Sequence, residues 1–300
     1  MIPLIMKNTR INVRSNFRQK RVARERKFEE NGSLMPLELG RVMYIPGRKL
    51  MGLCVIAKNK PGVLAKISSL MAKAGFNILY VVTNTTPHKI SDVATVVLYL
   101  DLGKNFDKLD VVVERLKALS VVKDVKTFKP ELGCLLADRY HFPLTINGMR
   151  AVLMAMPVLE GLIAITQKHE ALKAILWHQG VEVGRRVVKS FKELYGIKSY
   201  HEFIRILQAR AMSLGWFRIH VVHEDPLERK FVLRLYNNWE CEIIRSWGPK
   251  EKPQSMFIRG ILSGMYQEVF NEPFNVIETK CIALGDPYCE FYITQTKSIQ

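Results

Sequence analysis

Ile277-Glu278-Thr279-Lys280-Cys281-Ile282-Ala283-Leu284-Gly285-Asp286-Pro287-Tyr288-Cys289-Glu290-Phe291 is the stretch on which the reading of this chain turns. Two short apolar-rich strands flank the Gly285-Asp286-Pro287-Tyr288 turn, which can fold Cys289 back toward Cys281 and Glu278. A carboxylate and two thiols brought together in this way form a half-site for a soft cation, since zinc takes sulfur and oxygen ligands tetrahedrally. The competing reading is simple packing, because free cysteine is among the most buried residue types.

Upstream of this stretch, a long helix expected over about Gln167–Tyr195 sets Leu172, Leu176, Val183, Val187, Phe191 and Leu194 on one stripe. Gly180 and Gly184 in it permit close approach of a neighbour. A second helix is expected over Ser199–Ser213, strands at 216–223, 230–237 and 239–245, and a helix around Gln254–Phe270. These elements describe an α+β domain with an antiparallel sheet over residues 135–297. Together with Phe142-Pro143-Leu144-Thr145, Gly148-Met149-Arg150, Gly260 and Gly264, the terminal stretch resembles the vinyl reductase-type small-ligand sensor domain found in aromatic-sensing regulators and archaeal proteins. In its metal-binding members the resemblance implies a further Cys near the start of the penultimate helix. That position falls near Ser255 here, so the fourth zinc ligand is left between Ser255 and Cys241. Phe142, Trp177, Trp216, Trp239 and Trp247 could enclose a hydrophobic ligand or simply form core.

Residues 50–130 read differently. An apolar run from Leu50 to Ala57 leads through Asn59-Lys60-Pro61-Gly62-Val63-Leu64 into a helix with Val63, Leu64, Ile67, Leu70, Met71 and Ala74 on one face. Strands at 77–85 and 91–101, a helix carrying Leu109, Val112, Val113, Leu116 and Leu119, and a strand Val121–Phe128 complete a ferredoxin-like βαββαβ order. With Gly75-Phe76-Asn77-Ile78 opening the second strand, this region resembles an ACT domain, the amino-acid-sensing module of metabolic regulators. The resemblance implies a ligand site at Asn59, Pro61, Gly62, Val63 and Asn77, although the family usually has Asp where Asn59 stands. Gly62 lets a ligand approach the backbone, and N–H groups at a helix start favour a carboxylate. Pro61 and Gly62 serve equally to start a helix without any ligand.

Five cysteines, an odd number with no even spacing, argue against a disulfide framework and for a reducing, cytoplasmic setting. The longest apolar run, Ala151–Ile165, is broken by Pro157 and Glu160 and is short for a bilayer span. No P-loop, dinucleotide fingerprint, nucleophile elbow or HExxH motif occurs, so a non-enzymatic protein is expected.

The formal net charge of +17 is concentrated at the front. Lys7, Arg10, Arg14, Arg18, Lys20, Arg21, Arg24, Arg26 and Lys27 face a single acid, Glu25, between Met1 and Lys27. Residues 1–34 therefore read as a basic arm, disordered alone, with residues 35–49 as a bridge. Its arginines, interleaved with Asn8, Thr9, Asn12, Ser15, Asn16 and Gln19, suit phosphate and sugar contacts and resemble the RNA-threading tails of ribosomal proteins. Three functions follow: a regulator docking on RNA, foremost a ribosomal subunit; a ligand-responsive transcription regulator on DNA; or a metabolic sensor without nucleic acid. Both family resemblances imply a homodimer.

Overall fold

The computed structural model describes residues 35–84 and 91–296. The chain divides into two compact units between Arg150 and Ala151.

In the first unit a three-residue strand, β1 (Val42–Tyr44), precedes β2 (Leu50–Lys58), α1 (Val63–Ala74), β3 (Asn77–Asn84), β4 (Val93–Asp101), α2 (Leu109–Lys117) and β5 (Val122–Phe128). The main sheet is antiparallel in the order β3-β4-β2-β5, as the βαββαβ pattern requires. Successive strand residues point to opposite faces. Leu53, Val55 and Ala57 accordingly meet Val63, Ile67 and Met71 of α1 and Val112 and Leu116 of α2 in one core, while Cys54 joins Val97, Tyr99 and Phe128 on the other face.

That second face is covered by the bridge and by chain beyond Phe128. β6 (Leu135–Ala137) pairs antiparallel with β1, and Leu136 is fully buried against Tyr99 and Phe128. Tyr99 donates to the Arg41 carbonyl at 2.6 Å. Asp138 accepts from the Tyr140 and His141 amides, from His141 Nδ1 at 2.8 Å, and pairs with Arg41 at 3.3 Å. His141 Nε2 in turn lies 2.6 Å from Thr95 Oγ1. These bonds tie residues 135–141 to the first unit, although the sequence reading ends that domain at 130 and starts the next at 135.

A short hairpin, β7 (Leu144–Ile146) and β8 (Met149–Ala151), turns at Asn147-Gly148, both with positive φ, where the chain passes from one unit to the next. The second unit then runs through α3 (Met156–Ala164), α4 (Glu170–Tyr195), α5 (Tyr200–Ser213), β9 (Arg218–Asp225), β10 (Lys230–Tyr236), α6 (Trp239–Ser246), α7 (Met256–Phe270), β11 (Phe274–Lys280) and β12 (Cys289–Gln295). Its sheet is antiparallel in the order β11-β12-β10-β9. Tyr200, Phe203, Phe231, Tyr266, Phe270 and Phe274 interlock in the core beneath it.

One predicted strand is wrong. Residues 239–245 form α6, because Asn237 turns the chain at φ 58° and the Asn238 side chain then caps the helix by accepting from the Glu240 amide at 3.2 Å. Glu240 and Glu242 sit favourably in the first turn. The alternation Trp-Glu-Cys-Glu-Ile imitates a strand, but the cap decides.

α4 and α7 run parallel at backbone contact. A Cβ at Gly180 would lie 2.3 Å from the Phe257 carbonyl oxygen, and one at Gly264 would lie 1.9 Å from that of Val181. This close seating fixes the start of α7, where the candidate site lies.

Candidate metal centre

Four elements converge on one buried point. Cys241 arrives from α6, Ser255 is the residue before α7, Glu278 projects from β11, and Cys281 and Cys289 bracket the turn into β12. The three sulfurs and one carboxylate oxygen all lie within 4.8 Å of one another. All three cysteines are fully buried and Glu278 is only 6% exposed. Cys241 Sγ lies 3.4 Å from Cys281 Sγ and 4.0 Å from Glu278 Oε1. Thiolates bound at about 2.3 Å around a tetrahedral zinc sit about 3.7 Å apart, so the cluster has the dimensions of such an ion.

The turn is held open for this purpose. Asp286 accepts from the Cys281 amide at 2.8 Å, and the Ile282 amide donates to Cys289 Sγ at 3.4 Å, the kind of contact that orients a thiolate ligand. Ser255, at the position where the resemblance implies a ligand, donates to Glu278 at 2.7 Å and lies 2.9 Å from Cys241 Sγ. Its amide also donates to Glu278, at 3.0 Å. Of the two candidates for the fourth position, Cys241 joins the four-residue donor set and Ser255 supports it. The helix, not the strand first expected, brings Cys241 there.

Electrostatics mark the point as one built for a cation. Burial pushes the Glu278 carboxyl up to about 8. Hydrogen bonds to Cys281 and Cys289, reinforced by burial, push the Cys241 thiol far up, while hydrogen bonds from Cys241 and Cys289 hold Cys281 below its ordinary value. The four acids thus resist ionising together. No Lys, Arg or His of the described residues forms an ion pair with Glu278. A bound divalent ion would relieve that repulsion.

Two supporting residues had not been singled out. Asn238 donates to Ser255 Oγ at 2.9 Å and to Cys289 Sγ at 3.4 Å. Fully buried Glu240 accepts from the Phe257 and Ile258 amides, both at 2.9 Å, capping α7 from the neighbouring helix. Asn-Asn before Trp-Glu was the available signal, since it is an N-cap pattern. On the Glu278 side a cleft of about 420 Å³, lined by Trp177, Arg259 and Asn275 among others, approaches the cluster.

The predicted ACT-type site is only partly assembled. Gly62, in the left-handed conformation with open space where a Cβ would stand, caps α1 without a side-chain cap bond. Asn59 spends its side-chain amide on the Ser91 carbonyl at 3.1 Å. Asn77 starts β3 opposite Asp101, which also pairs with Leu50, whereas Asn59 follows the far end of β2. At roughly 3.3 Å per residue this places Asn77 on the order of 25 Å from Asn59–Val63 within one chain. The aromatic set does not gather either, with Phe142 82% exposed and Trp239 buried against Trp216. Lys7, Arg10, Arg14, Arg18, Lys20, Arg21, Arg24, Arg26 and Lys27 lie outside the described residues. No described helix is long and apolar enough to cross a membrane.

Comparison with known proteins agrees with this architecture. Residues 53–124 match the AHAS small subunit-like ACT domain, and residues 235–295 match the vinyl-4-reductase domain. The chain therefore carries an ACT-like domain followed by a vinyl reductase-type domain. It is similar to two uncharacterized proteins of Methanocaldococcus jannaschii. One is 31% identical over 120 residues, covering 40% of this chain and 62% of the relative, and the other 25% identical over 122 residues, covering 41% and 64%. This chain thus spans under two thirds of the length of these curated relatives. Among solved structures, it is similar to the phenol-responsive sensory domain of the transcription activator PoxR with phenol, at 16% identity and TM-score 0.45 over 49% of this chain and 77% of that one. A vinyl-4-reductase family protein from Methanocaldococcus jannaschii gives 22% identity and TM-score 0.34 over 49% and 85%. The ACT domain from GTP pyrophosphokinase of Chlorobium tepidum gives 25% and 0.23 over 27% and 99%.

Proposed function

We propose that this chain is a non-enzymatic, homodimeric, cytoplasmic regulatory protein that senses small ligands through its two folded units and docks on RNA, foremost a ribosomal subunit, through its basic arm. The ACT-like and vinyl-4-reductase matches support the sensory half. The observation that carries the docking half is the run of nine basic residues against one acid between Met1 and Lys27. Such a segment gains its affinity by releasing counterions from phosphates.

Zinc, held by Cys241, Glu278, Cys281 and Cys289, is in this reading a structural ion. It would neutralise clustered acids and lock α6, α7 and the β11–β12 turn together, so that the second unit presents one fixed shape to its ligand. In the first unit the uncapped start of α1 at Gly62 suits an amino-acid carboxylate. Asn77 can join Asn59, Pro61, Gly62 and Val63 only when a second copy supplies one of the two parts.

Sedimentation of cell extract through a gradient tests this. The intact chain should travel with ribosomal subunits, and a chain lacking residues 1–34 should stay at the top. Travel with chromatin would instead favour the transcription regulator, and travel with neither would leave the metabolic sensor.

A further inference from the structure

α3 is apolar on every side. Its inner residues Leu159 and Ile163 pack into the core of the second unit, and its only charged residue, Glu160, is tied to Trp247 Nε1 at 2.9 Å. The outer side nevertheless carries Val158 at 51%, Leu162 at 60% and, just beyond the helix, Ile165 at 52% exposure. Val152, Leu153, Met154 and Met156 extend this surface before and into the helix, and Ile175 borders it from α4. A helix apolar all round is ordinarily covered on both sides.

We infer that this face is the self-association surface of the chain, with α3 of one copy laid across α3 of a second about a two-fold axis. The inference rests on the homodimeric reading above and assigns it a surface. Three observations select the occupant. Between Ala151 and Gln167 there is no Lys or Arg, so the face offers nothing to a phosphate backbone or an anionic bilayer. The eight exposed side chains present roughly 100 Å² each, on the order of 800 Å² together, which is what one partner contributes to an interface of standard size. Val158 and Leu162 are four residues apart and point the same way, so two copies can interdigitate Leu162 against Val158 symmetrically.

The test is the mass of the full-length protein by light scattering, joined to a cross-linking measurement. The wild type should run at twice the chain mass at about 10 µM, and Leu162→Glu combined with Val158→Glu should weaken association by at least about 100-fold. Because those variants can also harm folding, Leu162→Cys in a Cys134→Ser background provides a gentler probe. It should cross-link rapidly between copies with a short bismaleimide, whereas Val111→Cys on α2 should not. A dimer that persists in the Glu variants and does not cross-link at Leu162→Cys overturns the surface and leaves the homodimer reading intact. A wild type that is monomeric overturns both, whether the first unit of the same chain or a neutral lipid vesicle proves to cover the face.

Discussion

Gly264→Ala should destabilise the second unit through one backbone contact. The new Cβ would stand 1.9 Å from the Val181 carbonyl oxygen, where ordinary contact begins at 3.4 Å, so α4 and α7 must part by about 1.5 Å. Both obstacles are helix backbone, which cannot rotate aside as a side chain can. Over-packing costs about 1–3 kcal/mol in ordinary cores, and two rigid helices place this case at or slightly above the upper end, about 3–4 kcal/mol. Alanine recovers about 1 kcal/mol of helix propensity over glycine. The net loss should be about 2–3 kcal/mol. All four tryptophans, Trp177, Trp216, Trp239 and Trp247, lie beyond Arg150, so tryptophan fluorescence in urea reports the second unit alone. The displaced α7 should also carry Ser255 away from Glu278 and weaken metal retention. A variant with the wild-type midpoint and undiminished metal content would refute the claim that helix contact positions the cluster.

Other outcomes follow from the same geometry. Cys241→Ser should reduce bound zinc from about one equivalent per chain to a small fraction after purification without chelators, because hard hydroxyl replaces one of three soft donors; unchanged content by elemental analysis would exclude Cys241 as a ligand. Glu240→Ala should cost about 3–4 kcal/mol in the same urea assay, since it orphans two buried N–H groups at about 1–3 kcal/mol each; a loss below about 1 kcal/mol would show that water replaces the cap. Burial pushes the Asp138 carboxyl up, but the Tyr140 amide, His141 and Arg41 outweigh it and hold the group below its ordinary value. A depressed carboxyl stabilises the fold above its unfolded pKa, and that contribution fades as pH falls through the folded value. Asp138→Asn should therefore speed amide exchange in β1 and β6 near pH 6 and make little difference near pH 3, once intrinsic rates are corrected; equal acceleration at both would show that the charge is irrelevant.

Much of the fold could be read directly because its signals are local. The change from period two in Leu50–Ala57 to period 3.6 in Val63–Ala74 and back marks βαβ without reference to anything distant. The β1–β6 pair could not be read this way. Three-residue strands carry no period, and their partners are more than ninety positions apart. Residues 239–246 were misread because five alternating residues suit either period, so the outcome rested on the Asn238 cap. The same error obscured the metal centre. Glu278, Cys281 and Cys289 are legible from spacing around a turn, whereas Cys241 enters only through the packing of α6 against α7. Asn77 illustrates the converse: a motif residue close in sequence to its supposed partners lies at the opposite end of a twelve-residue helix.

The most direct test of the proposed function is the salt dependence of binding to a ribosomal RNA fragment, measured by fluorescence anisotropy for the intact chain and for one lacking residues 1–34. The intact chain should lose affinity steeply between about 50 and 200 mM salt, with a log–log slope of several units, and the shortened chain should bind at least about 100-fold more weakly with a shallow slope. Equal affinity and equal slope for the two chains would contradict the arm as the docking element.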